Sequence, residues 1–213
     1  MRNYQDRSDA GQILARAVAA KITPGESVVI LGLPRGGVPV AAAVAKALNA
    51  TLDVIVARKL GVPFNPEYAF GAIASGGARY LNQSVVHGLA LTEDQIAAVT
   101  AAETAELQRR EQRYRGERLF PNLAGKTVIL VDDGIATGAT LRAAMLAVRE
   151  MQPARLIVAA PVAPADAAAE IASKVDEFVC PIIADDFQAV GQFYRDFGQV
   201  EDTEVVDALK LAP

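Results

Sequence analysis

Residues 128–141 read Val-Ile-Leu-Val-Asp-Asp-Gly-Ile-Ala-Thr-Gly-Ala-Thr-Leu. The four leading residues are branched aliphatics without polar alternation, which indicates a strand that is covered on both faces of a sheet. Two adjacent carboxylates, Asp132 and Asp133, follow the strand, and then Gly134. An apolar periodic pattern predicts a helix that begins near Leu141. The stretch is typical of a parallel α/β sheet in which a strand leads through a short loop into a helix.

The loop between strand and helix consists of small residues: Ala136, Thr137, Gly138, Ala139 and Thr140. Backbone N–H groups and threonine hydroxyls at a helix start bind phosphate, and the positive end of the helix dipole adds to the attraction. The two carboxylates lie one turn earlier, where they can accept hydrogen bonds from sugar hydroxyls. Two unpaired acids at the end of a buried strand are costly. We therefore interpret the stretch as a phosphosugar site rather than an ordinary strand-turn-helix.

These residues resemble the 5-phosphoribosyl-1-pyrophosphate (PRPP) signature of the type I phosphoribosyltransferases, which has four hydrophobic residues, two acids and a Thr-Gly-x-Thr loop. One departure is Gly134, where the family usually has an aliphatic residue. The resemblance implies an α/β fold with a doubly wound, mainly parallel sheet. It also implies transfer of 5-phosphoribose from PRPP to a nitrogen acceptor, such as a nucleobase, with release of pyrophosphate and with Mg²⁺ as cofactor.

The resemblance also predicts how the chain is organised. We expect residues 1–213 to form a single phosphoribosyltransferase-like domain. Its core should cover about residues 24–184, and a hood should form from about residues 1–22 and 185–213. A long helix is expected as an insertion at about residues 92–118.

Composition argues against several classes of function. A net charge of −4 and a pI of about 5.1 disfavour a nucleic-acid binder that works by bulk charge. The single cysteine, Cys180, cannot form an internal disulfide, which fits a reducing cytosol and predicts a cytoplasmic protein. The first residues lack the apolar core of a signal peptide. No run approaches the roughly 18 apolar residues of a membrane span.

Outside the signature, strands are predicted at residues 27–33, 52–57, 155–160 and 177–183, and helices at 8–22, 38–48, 141–151 and 164–174. This order, with short connections, predicts parallel strands joined by right-handed crossovers. Residues 60–66 are rich in Gly, Pro and Asn and predict a mobile loop. Residues 68–75 and 78–82, on either side of two glycines, predict a hairpin.

The helix at 92–118 begins with a capping box, Thr92 followed three residues later by Gln95. Pairs of opposite charge at i,i+4 spacing line it, Glu106 with Arg110 and Glu111 with Arg115. Its apolar stripe is thin. We expect it to lie across the core or against a partner subunit, which leaves a homodimer open, and we expect its charges to face water.

A second anion site is predicted after the first strand, at Pro34, Arg35, Gly36 and Gly37. Glycines let backbone N–H groups reach an anion, and the Arg35 guanidinium adds a planar set of donors. The segment resembles the pyrophosphate loop of the family. The resemblance implies a cis peptide bond between Pro34 and Arg35. The alternative is a plain turn that leads into a helix.

Arg58 and Lys59 follow the strand predicted at 52–57. Adjacent cations repel one another unless an anion is bound. Many family members have a basic pair here, at the start of a flexible loop that closes over pyrophosphate. We therefore expect Lys59, together with Arg58, to stabilise the leaving group. The alternative is two solvated surface cations.

The resemblance implies that a nitrogen nucleophile displaces pyrophosphate from C1 of the ribose, with inversion. The catalytic residues are then expected to be Asp132 and Asp133, which hold the ribose, and Arg35 and Lys59, which absorb charge on the departing group. Mg²⁺ is expected to be held mainly by PRPP oxygens and water, with Asp132 and Asp133 as candidate protein ligands. Family members that act on 6-oxopurines usually have an Asp where this chain has Ala136, so a hypoxanthine–guanine assignment is weakened.

Several other residues have two readings. Glu67 is an acid or base toward the acceptor or, as we favour, a surface carboxylate. His87 is expected to have no chemical role. Phe193, Tyr194 and Phe197 either stack on a planar base or anchor the tail to the core, and the core role is favoured for two of the three.

Two further functions compete with the transferase. The first is a catalytically silent regulator that senses PRPP or a nucleotide, and the second is an enzyme that hydrolyses a ribose phosphate. Intact Arg35 and Lys59 favour turnover, because a sensor has no leaving group to stabilise.

Overall fold

The computed structural model describes residues 4–210. The α-helices of this range are α1 (Arg7–Ala19), α2 (Gly37–Leu48), α3 (Gln83–Gly88), α4 (Glu93–Arg115), α5 (Ala139–Glu150), α6 (Ala165–Ala172) and α7 (Asp202–Lys210). Its strands are β1 (Val28–Gly32), β2 (Thr51–Val54), β3 (Ala57–Val62), β4 (Asn65–Ala74), β5 (Ala78–Leu81), β6 (Thr127–Val131), β7 (Arg155–Ala159), β8 (Val162–Pro164), β9 (Glu177–Val179) and β10 (Ile182–Ala184).

The main sheet has five parallel strands in the order β2-β1-β6-β7-β9. Every residue of β6 is buried, as its unbroken aliphatic run predicts. Ile129 and Val131 of β6 pack in one hydrophobic cluster with α1, α2 and α7. Val128 and Leu130 point to the other face and pack with α5 and α6. Helices therefore cover both faces, and the predicted α/β fold with a doubly wound parallel sheet is confirmed.

The loop predicted at residues 60–66 is shorter than expected, because β3 and β4 occupy this segment except for an exposed turn at Pro63 and Phe64. Leu60 and Val62 are fully buried at alternate positions of β3. β3 pairs antiparallel with β4, and the register is irregular around Gly61, where a Cβ atom would lie 2.4 Å from the carbonyl oxygen of Pro66. Gly61 and Pro66 thus mark irregular strands rather than a loop.

The strand predicted at 52–57 is divided in two. β2 ends at Val54, and β3 begins at Ala57 in a separate antiparallel sheet of order β3-β4-β5. Arg58 and Lys59 consequently lie within β3 and not at the end of a strand of the main sheet. The hairpin of β4 and β5 around Gly76 and Gly77 is confirmed.

The strand predicted at 177–183 is also divided. β9 ends at Val179 as the edge of the main sheet, and β10 pairs with β8 in a separate parallel pair. Pro181 lies between them, and proline has no N–H to continue a ladder of hydrogen bonds. The chain therefore leaves the main sheet at this residue.

The two ends of the described chain pack together. Tyr4 forms a parallel bridge with Tyr194, and the Tyr4 hydroxyl donates to the Pro161 carbonyl at 2.8 Å. Phe193 and Tyr194 are buried, whereas Phe197 is partly exposed. The core role predicted for two of the three aromatic residues is therefore confirmed. Residues 1–3 and 211–213, which belong to the predicted hood, lie outside the described range.

Helix α4 packs against β3, β4 and α7, so it lies across the body of the chain. Its capping box is present, and Glu106 pairs with Arg110 as predicted. The prediction that its charges face water is wrong at Arg115, which is buried and donates to Asp53 at 3.1 Å, 62 residues away in sequence. The helix has 23 residues but many charges. Between residues 4 and 210, no helix combines the length and apolarity needed to cross a membrane.

Candidate active site

The predicted site residues follow β1 and β6, which are neighbours in the main sheet. Gly32 at the end of β1 is in register with Val131 at the end of β6. The Leu33 N–H donates to the Val131 carbonyl at 2.9 Å. Because carboxyl ends of neighbouring parallel strands open on the same edge, the two loops start side by side.

The loop after β1, Pro34 to Gly37, is called the glycine loop, and Asp132 and Asp133 are called the acidic pair. The two are in direct contact. A Cβ atom on Gly36 would lie 1.9 Å from Oδ2 of Asp133. One on Gly37 would lie 2.6 Å from the Val131 carbonyl oxygen and 2.9 Å from Cα of Asp132. These approaches are possible only without side chains. The cis peptide bond expected between Pro34 and Arg35 is present.

The two carboxylates differ in their partners. Asp132 Oδ1 accepts from the Asp133 N–H at 2.9 Å. Asp133 Oδ2 accepts from Nε of Arg7 at 2.8 Å. Burial raises the pKa of Asp132 well above its ordinary value, and the charge of Asp133 raises it further. Burial also raises the pKa of Asp133, although Arg7 offsets part of this effect. The unliganded site thus holds negative charge at a cost that a bound cation or sugar hydroxyl would reduce.

The small-residue loop forms the start of α5. Gly138 has a φ of 66°, in the left-handed region, immediately before the helix. Ala136, Thr137, Ala139 and Thr140 are exposed. The first-turn N–H groups of a helix have no partner within the helix. This geometry therefore fits the predicted phosphate site.

Arg58 and Lys59 each pair with a carboxylate, so neither is free to solvent as an isolated cation. Arg58 Nε lies 2.6 Å from Glu103 of α4. Lys59 Nζ lies 2.7 Å from Glu67, which is itself largely exposed. The basic pair and Glu67 line a cleft of about 520 Å³ together with Ala139 and Thr140. The structure thus brings the basic pair to the phosphate loop, although through a different sheet than predicted.

Magnesium binds hard oxygen ligands and keeps several waters. Among residues 4–210, no group of three or more His, Cys, Asp or Glu could form a metal site. Asp132 and Asp133 offer adjacent carboxylates whose repulsion contributes to the raised pKa of Asp132. A divalent cation would relieve that repulsion, so the pair fits a Mg²⁺ ion whose other ligands come from substrate and water.

The family profile described as "Phosphoribosyl transferase domain" matches residues 2–197. The chain belongs to the phosphoribosyl transferase family.

Relatives of the chain agree with this membership. A protein of Mycobacterium tuberculosis (strain ATCC 25618 / H37Rv), provisionally named a phosphoribosyl transferase, is 49% identical over 212 residues. The match covers 100% of this chain and 47% of that protein, so the chain spans about half the length of the curated relatives it matches.

Solved structures share the fold. The crystal structure of TT1426 from Thermus thermophilus has a TM-score of 0.90 and 40% identity, with 99% of this chain and 100% of that chain covered. The AQ2163 protein from Aquifex aeolicus has a TM-score of 0.53 at 13% identity, and the match covers 87% of this chain and 78% of that chain. At this identity the Aquifex likeness concerns the fold alone.

The departure from the family signature at Gly134 has a packing reason. A Cβ atom there would lie 2.4 Å from Cγ1 of Val190 and 3.0 Å from Cγ1 of Val162. Val190 begins a short 3₁₀ turn in the C-terminal segment that ends at Phe193. An aliphatic residue in place of Gly134 would push this segment off the acidic pair.

Sequence reasoning missed two arginines of the site. Arg7 binds Asp133, donates to the Gly198 carbonyl at 2.7 Å and lies over the Phe197 ring at 4.0 Å. Arg142 of α5 donates to the Thr137 carbonyl and is held by Glu170. Arg142 follows the quoted signature directly, so its position one turn into the helix was a usable signal. Arg7 has no such signal, because Asp133 is 126 residues away.

The remaining candidates lie apart from the acidic pair or serve the core. His87 is exposed on α3. The Tyr194 hydroxyl donates to the Asp133 backbone carbonyl at 2.5 Å, which fixes the acidic loop to the C-terminal segment. Burial raises the pKa of the Cys180 thiol to about 12, which argues against a nucleophile.

Asp132→Asn should stabilise the unliganded protein, increasingly so as the pH rises. Because burial raises the folded-state pKa of Asp132 above 3.8, the folded chain keeps a proton that the unfolded chain has released, and wild-type stability falls as pH rises through this window. Each unit of upward shift is worth about 1.4 kcal/mol. Urea unfolding from pH 8 downward should show the advantage of the variant shrinking. The exposed control Asp94→Asn should show no such trend, and an advantage that grew toward acid would contradict the assignment.

Proposed function

We propose that this chain transfers 5-phosphoribose from PRPP to a nitrogen acceptor of the nucleobase class, with release of pyrophosphate, and so acts in nucleotide metabolism. One observation carries the proposal: Gly36 approaches the Asp133 carboxylate so closely that no side chain fits between them. A loop suited to pyrophosphate and an acidic pair suited to ribose therefore meet where C1 of PRPP would lie. Family membership supports the same substrate.

The phosphate loop would bind the 5-phosphate. Its residues are Ala136, Thr137, Gly138, Ala139 and Thr140, which offer backbone N–H groups, two hydroxyls and the N-terminus of α5. Arg142 stabilises the loop by donating a hydrogen bond to the Thr137 carbonyl. Asp132 and Asp133 would then accept hydrogen bonds from the ribose hydroxyls. This anchors the sugar at both ends before its C1 bond breaks.

The leaving pyrophosphate would be stabilised by two groups of residues. The backbone of Gly36 and Gly37 would face it from the β1 side, and the Arg35 guanidinium, which lies toward α7 in this structure, would have to turn to reach it. Arg58 and Lys59 approach from β3 and would exchange Glu103 and Glu67 for the pyrophosphate oxygens. The first pair is partly exposed and Glu67 of the second is largely exposed, and ion pairs in contact with solvent are weak, so this exchange costs little. These cations would then stabilise the negative charge that builds up on the leaving group while the oxocarbenium-like state develops on the ribose.

Asp132 and Asp133 would hold Mg²⁺, together with substrate oxygens and water. When bound, the ion neutralises charge on the pyrophosphate and orients it. The acidic pair also balances positive charge on the ribose ring. A carboxylate that binds both ribose and metal explains why the two acids are adjacent in spite of their repulsion.

The test is pyrophosphate release from PRPP and Mg²⁺ across a panel of nucleobases. Release that depends on one base supports the transferase. Tight PRPP binding without release under any acceptor would replace it with the sensor, and release independent of the base would replace it with a hydrolase. Omission of Mg²⁺ should abolish release, because the leaving group then keeps its full charge.

A further inference from the structure

Four arginines converge on a small cavity beside the glycine loop. The cavity has a volume of about 260 Å³ and is lined by Pro34, Arg35, Arg109, Arg110, Arg113, Tyr114 and Asp202. Its walls come from the loop after β1, the last turns of α4 and the start of α7. We call it the arginine pocket. Its lining carries four positive charges and one negative charge.

The Arg35 side chain points into the arginine pocket and not toward the acidic pair. Its Nη1 atom lies 3.9 Å from both Glu201 and Asp202, beyond hydrogen-bond distance. Among residues 4–210, Glu201 and Asp202 are the residues whose carboxylates form ion pairs with the Arg35 guanidinium. The guanidinium thus points toward α7, although the neighbouring Gly36 contacts Asp133. Gly36 therefore lies against the acidic pair, and the preceding residue, Arg35, faces the arginine pocket.

Glu106 orients the guanidiniums of Arg109 and Arg110. Nε and Nη2 of Arg109 bind Glu106 at 2.8 and 3.0 Å, and Nε of Arg110 binds the same carboxylate at 2.7 Å. The two arginines lower the pKa of Glu106 to about 2, so it stays charged. Each guanidinium has five N–H donors, and these bonds leave most of them free for the cavity.

Asp202 is the single acidic residue of the lining. It accepts from the Tyr114 hydroxyl at 2.9 Å and pairs with Arg113. The Arg113 side chain is 57% exposed, and an ion pair of this exposure stabilises weakly. When Glu106 and Glu201 are counted with Asp202, the four cations face three carboxylates, so a net positive charge and some repulsion between the guanidiniums remain. An anion that enters the cavity would relieve this repulsion and compete with Asp202 for Arg113.

We propose that the arginine pocket is an additional anion site, formed mainly by α4, that binds a phosphoryl or pyrophosphoryl group. Guanidinium donors are suited to phosphate oxygens, which they bind in pairs. A volume of about 260 Å³ is below that of sites which enclose whole small molecules, so the pocket takes the charged group and leaves any attached part outside. The site is distinct from the phosphate loop and shares Pro34 and Arg35 with the glycine loop, and its binding needs no turnover.

The source of the group is either pyrophosphate itself or the phosphate of a phosphorylated metabolite. Calorimetric titrations with inorganic pyrophosphate and with AMP, both without Mg²⁺, distinguish the two. A preference for pyrophosphate identifies the free inorganic anion, and comparable affinity for AMP identifies a phosphate ester. Thr137→Ala combined with Thr140→Ala weakens competing binding at the phosphate loop, and Arg58→Gln combined with Lys59→Gln weakens it at the proposed pyrophosphate site. Both double variants should leave the pocket's binding in place.

The decisive variants change affinity in opposite directions. Arg109→Gln with Arg113→Gln should weaken binding by about tenfold or more through the lost charge-assisted hydrogen bonds. Asp202→Asn removes the competing acid, keeps an acceptor for Tyr114 and should tighten binding by about threefold. Arg79→Gln with Arg195→Gln removes the same charge from exposed positions elsewhere and should leave affinity unchanged.

The proposal is overturned if Arg109→Gln with Arg113→Gln binds both probes as the wild type does. Equal losses in the Arg79 and Arg195 control would show a general charge effect and would also overturn it. So would weaker binding by Asp202→Asn. A folding defect cannot imitate the expected pattern, because it would not tighten binding in one variant and weaken it in another.

Discussion

Asp133→Asn should lower the rate of pyrophosphate release from PRPP by about 10²-fold or more, roughly 3 kcal/mol of barrier, with the fold intact. The Asp133 carboxylate lies against the glycine loop and is oriented by Arg7. Asparagine keeps the shape and one acceptor oxygen, so Arg7 retains a partner. It removes the negative charge that would balance the oxocarbenium-like ring and bind Mg²⁺. The loss should therefore appear in kcat more than in the KM for PRPP.

The matched control is Asp207→Asn, which removes one charge from an exposed pair with Lys210 on α7. This variant should release pyrophosphate at the wild-type rate. Circular dichroism and urea unfolding would show that both variants fold. Wild-type turnover in Asp133→Asn would remove the ribose-holding role from this residue, whatever acceptor the enzyme uses.

The parts of the site that sequence predicted are local in the chain. The run of β6, the adjacent acids and the loop before α5 fall within fourteen consecutive residues, so pattern and chemistry could be read together. The nearness of the glycine loop followed from one rule, that parallel strands open on a common edge. The parallel sheet was predictable from local pattern as well, because its strands are short aliphatic runs separated by helices.

The errors have a common physical origin in partners that are distant along the chain. Gly61 and Pro66 look like loop residues, yet the pairing of β3 with β4 accommodates them at an irregularity. Arg115 looks like one of many surface charges of α4, but it is buried because Asp53 is buried beside it. Local propensity does not report such pairings, since they depend on which strands and helices meet.

Arg7 and Arg35 show the same limit within the site. Arg7 completes the coordination of Asp133 from the other end of the chain. Arg35 was predicted for the leaving group from its place in the loop, but its side chain direction depends on α4 and α7. Residue type and loop position were predictable, whereas the direction of a long side chain was not.

Gly36→Ala should reduce pyrophosphate release by about 10²-fold or more, since a misplacement of about 1 Å at a reacting group can cost that much. The added Cβ would lie 1.9 Å from Oδ2 and 2.6 Å from Cγ of Asp133. The carboxylate must move, and it would break its bond to Arg7. The backbone of the fold need not shift, because the clashing atoms belong to a side chain. Gly88→Ala, where no atom lies within 4 Å of the new Cβ, should leave the rate unchanged.

A double-mutant cycle with Asp133→Ala separates the two ways in which Gly36 could matter. Asp133→Ala removes the atoms that the new methyl group meets. If Gly36 serves to leave room for the carboxylate, the double variant should be about as slow as Asp133→Ala alone, a loss near 10²-fold instead of the roughly 10⁴-fold of independent sites. A multiplicative loss would show that the methyl group blocks the pyrophosphate itself. The contact between loop and acid would then be a consequence of packing, and the observation that supports the transferase would lose its meaning.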